Sequence, residues 1–112
     1  MKPNASFNDL PKEIRSSLRA LVRSLKERMN DVEVYLFGSF ARGDWLKNSD
    51  IDIIVVSSSF KGMEIHERYK QVRLLADREL SFEILTYTPE EFEELKERSV
   101  ILKDASRYWI KL

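Results

Sequence analysis

"VEVYLFGSFARGDWLKNSDIDIIVV", Val32 to Val56, is the stretch on which the fold turns. Its first six residues are mostly β-branched, aromatic or aliphatic and stop at Gly38, the pattern of a strand ended by a turn. Its last six, Ile51 to Val56, are apolar on both faces after Asp52. That pattern predicts a strand covered on both sides, central in a sheet. Between them, "ARGDWLKNS" mixes Gly, Asp, Asn and Ser and predicts a short helical turn plus loop.

Upstream, from Leu10 to Met29, the residues Ile14, Leu18, Leu21, Val22, Leu25 and Met29 recur at helical spacing and predict an amphipathic helix. Downstream, Gly62 to Glu79 carries Ile65, Tyr69, Val72 and Ala76 at the same spacing, and "SFEILTY", Ser81 to Tyr87, predicts a third strand. Thr88, Pro89 and Glu91 form a helix start: a Thr cap, Pro at the first helical position and Glu three residues after the cap. That helix continues through Phe92 and Leu95, "SVILKDAS" extends or restarts it, and "RYWIKL" predicts a last strand.

The pattern predicts an α/β (α+β) fold, a short mixed β-sheet flanked by helices. The connection from the second to the third strand is long enough for a parallel crossover, so those two strands start at the same edge of the sheet. With 112 residues, a single domain over 1–112 is expected.

Composition narrows the function. Nineteen basic residues balance nineteen acidic ones, so no general electrostatic grip on nucleic acid or an anionic membrane is expected. The absence of cysteine removes disulfides, thiolate metal sites and a cysteine nucleophile, and one histidine cannot make a histidine-rich metal site. No apolar run reaches the roughly 20 residues of a membrane span, and the N-terminus lacks an apolar signal core. A cytoplasmic location is the expectation.

Asp50 and Asp52 are two positions apart, so in an extended segment both point to one face, about 7 Å from each other. If the third strand lies parallel beside the second, Glu83 comes next to Asp52, an acid on a face it shares with Leu85 and Tyr87. Three clustered carboxylates repel one another unless a cation joins them. Oxygen ligands favour hard Mg²⁺ or Mn²⁺, and Mg²⁺ completes its shell with water and substrate phosphates.

Gly38 and Ser39 supply the complementary half: a glycine allows a sharp turn and close approach, and a serine hydroxyl with free N–H groups can hold phosphate oxygens. The segment is not a Walker A loop, since the second glycine followed by Lys-Ser/Thr is absent. Arg42 and Lys47 are loop cations that either neutralise phosphate or are solvated.

Each feature has a plainer reading. Asp50 is also an ordinary turn residue in "KNSD". Trp45 is read as a cover for the core edge rather than a base-stacking platform, and His66 as a surface residue. Lys12, Arg15, Arg19, Arg23 and Lys26 form a basic stripe beside the first helix's apolar face, a solvated surface or a landing place for an acidic partner or RNA.

Gly38-Ser39, ten intervening residues, then Asp50-Ile51-Asp52 resembles the signature of the DNA polymerase β-like nucleotidyltransferase superfamily. The run "GSFARGD…SDIDIIVV" and the chain's size are most similar to its minimal nucleotidyltransferases, and the resemblance extends over nearly the whole chain, "ILTYTPEEF" included. It implies the polymerase β-like fold, two Mg²⁺ ions on Asp50, Asp52 and Glu83, and a nucleoside triphosphate, ATP first, on Gly38 and Ser39; Arg42, a loop cation, is the further nucleotide-binding candidate. Many relatives carry Asp at the third position, where this chain has Glu83. The implied reaction moves AMP to a hydroxyl. The implied partner is a small helical HEPN-domain toxin, whose tyrosine would be the acceptor for an antitoxin activity. An antitoxin that neutralises such a partner by binding alone is the alternative.

Overall fold

The computed structural model describes residues 6–112; the first five positions of the domain expected over 1–112 lie outside the described residues. In chain order the elements are α1 (Lys12–Arg28), β1 (Glu33–Phe37), α2 (Gly38–Arg42), β2 (Ile51–Val56), α3 (Ile65–Arg73), β3 (Phe82–Tyr87), α4 (Pro89–Leu95), α5 (Val100–Ala105) and β4 (Ile110–Lys111). The four strands form one sheet in the order β3-β2-β1-β4. β2 is antiparallel to β1 and parallel to β3, and β4 is antiparallel to β1. The mixed sheet flanked by helices, and the central place of "IDIIVV" within it, are as the sequence predicts.

Side-chain alternation divides the molecule into two cores. Ile51, Ile53 and Val55 of β2 join Val34, Leu36 and the apolar stripe of α1 on one face. Ile54 and Val56 join Tyr35, Phe37, Phe92 and Leu102 on the other. Ile53, Ile54 and Val55 have no solvent-accessible surface at all, which is why this strand carries no polar alternation beyond Asp52. α1 buries Ile14, Leu18, Leu21 and Leu25, and Met29 is buried just beyond its end. Trp45 stacks on Phe40 at 5.4 Å between ring centroids, covering the core edge.

Two segments differ from the periodicity reading, and a third takes one of its two alternatives. The helix expected over 62–79 is confined to α3. Gly62 sits at φ +80, and after Arg73 the chain turns back because that guanidinium donates to the carbonyls of Asp77 and Leu80. Only Val72 and Ala76 of the expected stripe are buried, while Ile65 is 66% exposed. Buried in their place is Arg68, which donates to both carboxylate oxygens of Glu91 at 2.6 and 3.3 Å and to the Met63 carbonyl.

The "SVILKDAS" segment restarts as a separate helix, α5, because Ser99 caps it by accepting from the Leu102 N–H. The last strand is two residues long, and Trp109 before it is packed on Tyr35 and Phe92. The Thr88 capping box is present in full. Among the described residues no helix is long and apolar enough to cross a membrane.

Candidate active site

The register assembles the acids. Asp52 pairs across to Phe37 on β1 and to Glu83 on β3, so the two carboxylates stand side by side on adjacent parallel strands. By alternation both project to the face that carries Ile54, Leu85 and Phe92. Glu83 is exposed on the edge strand, whereas Asp52 is half-buried.

Burial raises the pKa of Asp52 first, and the adjacent Glu83, which can share a hydrogen bond with it only if one carboxyl is protonated, raises it further. Asp50 adds a like charge, Arg42 opposes it, and the outcome is a value of about 7.

Gly38 packs against the Asp52 carboxylate. It follows β1 at φ +72, a left-handed conformation that glycine adopts without penalty. A Cβ at this position would overlap Asp52 Oδ2 and lie 2.8 Å from its Cγ. The glycine is therefore required twice, by its own backbone and by the carboxylate packed on its Cα. The Ser39 carbonyl accepts from the N–H groups of Gly43 and Asp44, closing α2 in a tight turn. The half-buried Ser39 hydroxyl makes no hydrogen bond among the described residues.

Asp50 is placed differently. It is exposed at the mouth of β2, and its Oδ1 accepts a 2.5 Å hydrogen bond from the Ser81 hydroxyl. The adjacent Ile51 N–H donates to the Ser81 carbonyl, so this residue ties the starts of β2 and β3 together. Among the described residues no group of three or more His, Cys, Asp or Glu stands ready to hold a metal ion. The structure brings Asp52 and Glu83 together and leaves Asp50 engaged by Ser81. The donor set is nonetheless all oxygen, and burial beside Glu83 and Asp50 raises the Asp52 pKa to about 7. That chemistry fits a hard divalent ion.

Arg42 has partners that no sequence pattern indicated. Its Nε donates to Asp44 at 3.3 Å and its NH1 to the Tyr108 hydroxyl at 3.1 Å, with the guanidinium 5.4 Å from the Tyr108 ring centroid. Ser81 was findable, since it is two residues before Glu83 and so shares its face in an extended segment. Tyr108 was not, because only the return of the chain to β4 brings it across to α2.

Comparison with known proteins gives the family of the chain. The family model described as a nucleotidyltransferase domain matches residues 18–108. The chain is 39% identical over 59 residues to the protein adenylyltransferase MntA of Thermococcus cleftensis, a match covering 49% of this chain and 60% of that relative's length. It is 26% identical over 77 residues to a Methanocaldococcus jannaschii protein with a provisional protein adenylyltransferase name, covering 69% of this chain and 71% of that one. A solved structure from Sulfolobus solfataricus, provisionally assigned as a nucleotidyltransferase, superposes with a TM-score of 0.54 at 31% identity, over 72% of this chain and 78% of that one. A second such structure, 24% identical, shares the fold with a TM-score of 0.57, over 85% of this chain and 96% of that one.

Proposed function

Because the chain belongs to the nucleotidyltransferase domain family, we propose that it is a Mg²⁺-dependent adenylyltransferase moving AMP from ATP to a hydroxyl of another protein. The observation that carries this reading is the Asp52–Glu83 pair on adjacent parallel strands, with Asp52 packed against Gly38 at the turn that follows β1. The names of the two curated relatives support a protein as the acceptor. The resemblance to minimal nucleotidyltransferases supports a tyrosine of a HEPN-domain toxin as that acceptor, with an antitoxin role.

In this reading Asp52, Glu83 and Asp50 hold the divalent ions. Divalent ions held by these carboxylates would supply charge neutralisation for the triphosphate and the reacting oxygens. The Ser39 hydroxyl and the glycine turn hold phosphate oxygens, and Arg42, aimed by Tyr108 and Asp44, lends positive charge beside them. The acceptor oxygen bonds to the α-phosphorus as the bond to the β-phosphate bridging oxygen breaks. Pyrophosphate leaves, and the hydroxyl proton passes to a carboxylate or to water. The Ser81 hydroxyl holds Asp50 through Oδ1 and leaves Oδ2 free of it.

The test is incubation with ATP labelled at the α-phosphate, Mg²⁺ and a candidate toxin, read by label transfer and by mass. Metal-dependent addition of one AMP is expected, with a loss of about 100-fold or more in Asp50→Ala with Asp52→Ala. Absence of transfer, or transfer unchanged in the double variant, would sink the reading. Full neutralisation of the toxin by a non-transferring variant would assign the biological role to binding alone.

A further inference from the structure

A groove of about 670 Å³ lies between α1 and the end of the chain at β4. Phe7, Leu18, Val22 and Leu112 give it an apolar floor. Its rim is basic: Arg19, Arg23, Lys26 and Lys111 line it against one acidic side chain, Glu27. Leu18 belongs to the core on the α1 face, and β4 is the sheet edge opposite β3. The groove is thus on the other face from Asp52 and Glu83, at the far edge from Glu83.

The cations on this rim are under-used. Lys111 pairs with Glu33 at 3.0 Å, and Arg19 lies 5.0 Å from the Phe7 ring centroid. Among the described residues, however, Arg19, Arg23 and Lys26 make no ion pair. They follow one another at four- and three-residue steps, so they stand on one stripe of α1 and repel each other. Met1 to Ala5, which precede the described residues, contain no carboxylate that could answer them.

An apolar floor and an unanswered basic stripe ask for opposite things of a ligand, and one shape supplies both. The stripe from Arg19 to Lys26 extends for about 10 Å, two helical turns. An incoming helix with an apolar face for the floor and acids on its flanks would match it at each step. RNA would satisfy the cations while leaving the partly exposed Phe7, Val22 and Leu112 in water. We propose that this groove is a docking site for an acidic amphipathic helix of a partner protein, separate from the carboxylate end and not dependent on the reaction assigned to it.

The probe is a fluorescent synthetic helix of about 18 residues, Leu on one face and Glu on the other, set against its Glu→Lys counterpart and a single-stranded oligoribonucleotide, all read by anisotropy. The wild-type chain is expected to bind the acidic peptide with a Kd of roughly 10–100 μM, weakening with salt, and to prefer it at least 10-fold over the basic one. Arg19→Glu with Arg23→Glu should reverse that preference without changing ATP-dependent transfer. Arg23→Glu alone, at an exposed residue, should halve the effect if the double variant melts early.

Equal binding of the two peptides, or a preference that survives reversal, would overturn the proposal. Tighter binding of the oligoribonucleotide that is lost on reversal would make the groove a nucleic-acid surface instead. Concentration-dependent self-association abolished by reversal would put a second copy of this chain, with its acid-rich α4, in the partner's place; either result overturns the proposal.

Discussion

At the residue scale, Asp52 carries a charge at a cost. Its folded-state pKa is raised to about 7, above the ordinary 3.8, so the native chain binds a proton more tightly than the unfolded one. Its contribution favours folding below about pH 4 and is progressively lost as pH rises through 7. Asp52→Asn in the absence of divalent ions should therefore raise Tm at pH 8 by roughly 5 °C, discounted for a half-exposed carboxylate, and by less than half as much at pH 5. Mg²⁺ should raise the Tm of the wild type at pH 8 and leave the variant nearly unchanged. Scanning calorimetry at the two pH values checks both. This residue's neighbours were legible to different degrees: strand alternation placed Glu83 beside it, and the glycine turn put Gly38 near it. The packing of Gly38 on the carboxylate itself is a three-dimensional fact, since nothing in a turn motif says which side chain fills the space of a missing Cβ.

At the element scale, the Thr88 cap was readable because capping is local: the donors and acceptors lie within four residues. The second duty of Glu91 was not, because Arg68 reaches it from α3 across the crossover. Glu91 accepts from Thr88 N–H at 2.8 Å while pairing with Arg68, whose hydrogen bond is the main cause holding the Glu91 carboxyl below its ordinary range. One side chain thus starts α4 and neutralises an arginine whose side chain is only 6% exposed. Glu91→Ala should cost about 3 kcal/mol, since it removes a cap and strands a buried guanidinium, and Glu91→Gln about half of that. Urea unfolding at pH 7 measures both. The stabilisation from this pair is present above the unfolded pKa of Glu91 and disappears as pH falls through its lower folded value. The shortness of α3 belongs here too. Apolar spacing ran on past Arg73, but the turn held by its guanidinium overrode the period.

At the scale of the whole molecule, strand number, order of types and the parallel β2–β3 pair were legible, because a strand apolar on both faces demands two helical layers and a long connection demands a crossover. The positions of Tyr108 and Ser81 needed the closed sheet. That closure has a consequence in time. β1 and β2 are antiparallel and joined by the short α2 and its loop, so Phe37 finds Asp52 across a small loop. Glu83 finds Asp52 only after α3 and both its flanking turns have closed the longer circuit from β2 to β3. The pairing that makes the candidate site should be among the last formed and the first released. In stopped-flow refolding, ATP-dependent transfer should return in a slower phase than far-ultraviolet circular dichroism. In native-state hydrogen exchange, β3 amides should open at lower free energy than those shared by β1 and β2. Simultaneous recovery of both signals would show instead that the sheet condenses in one step.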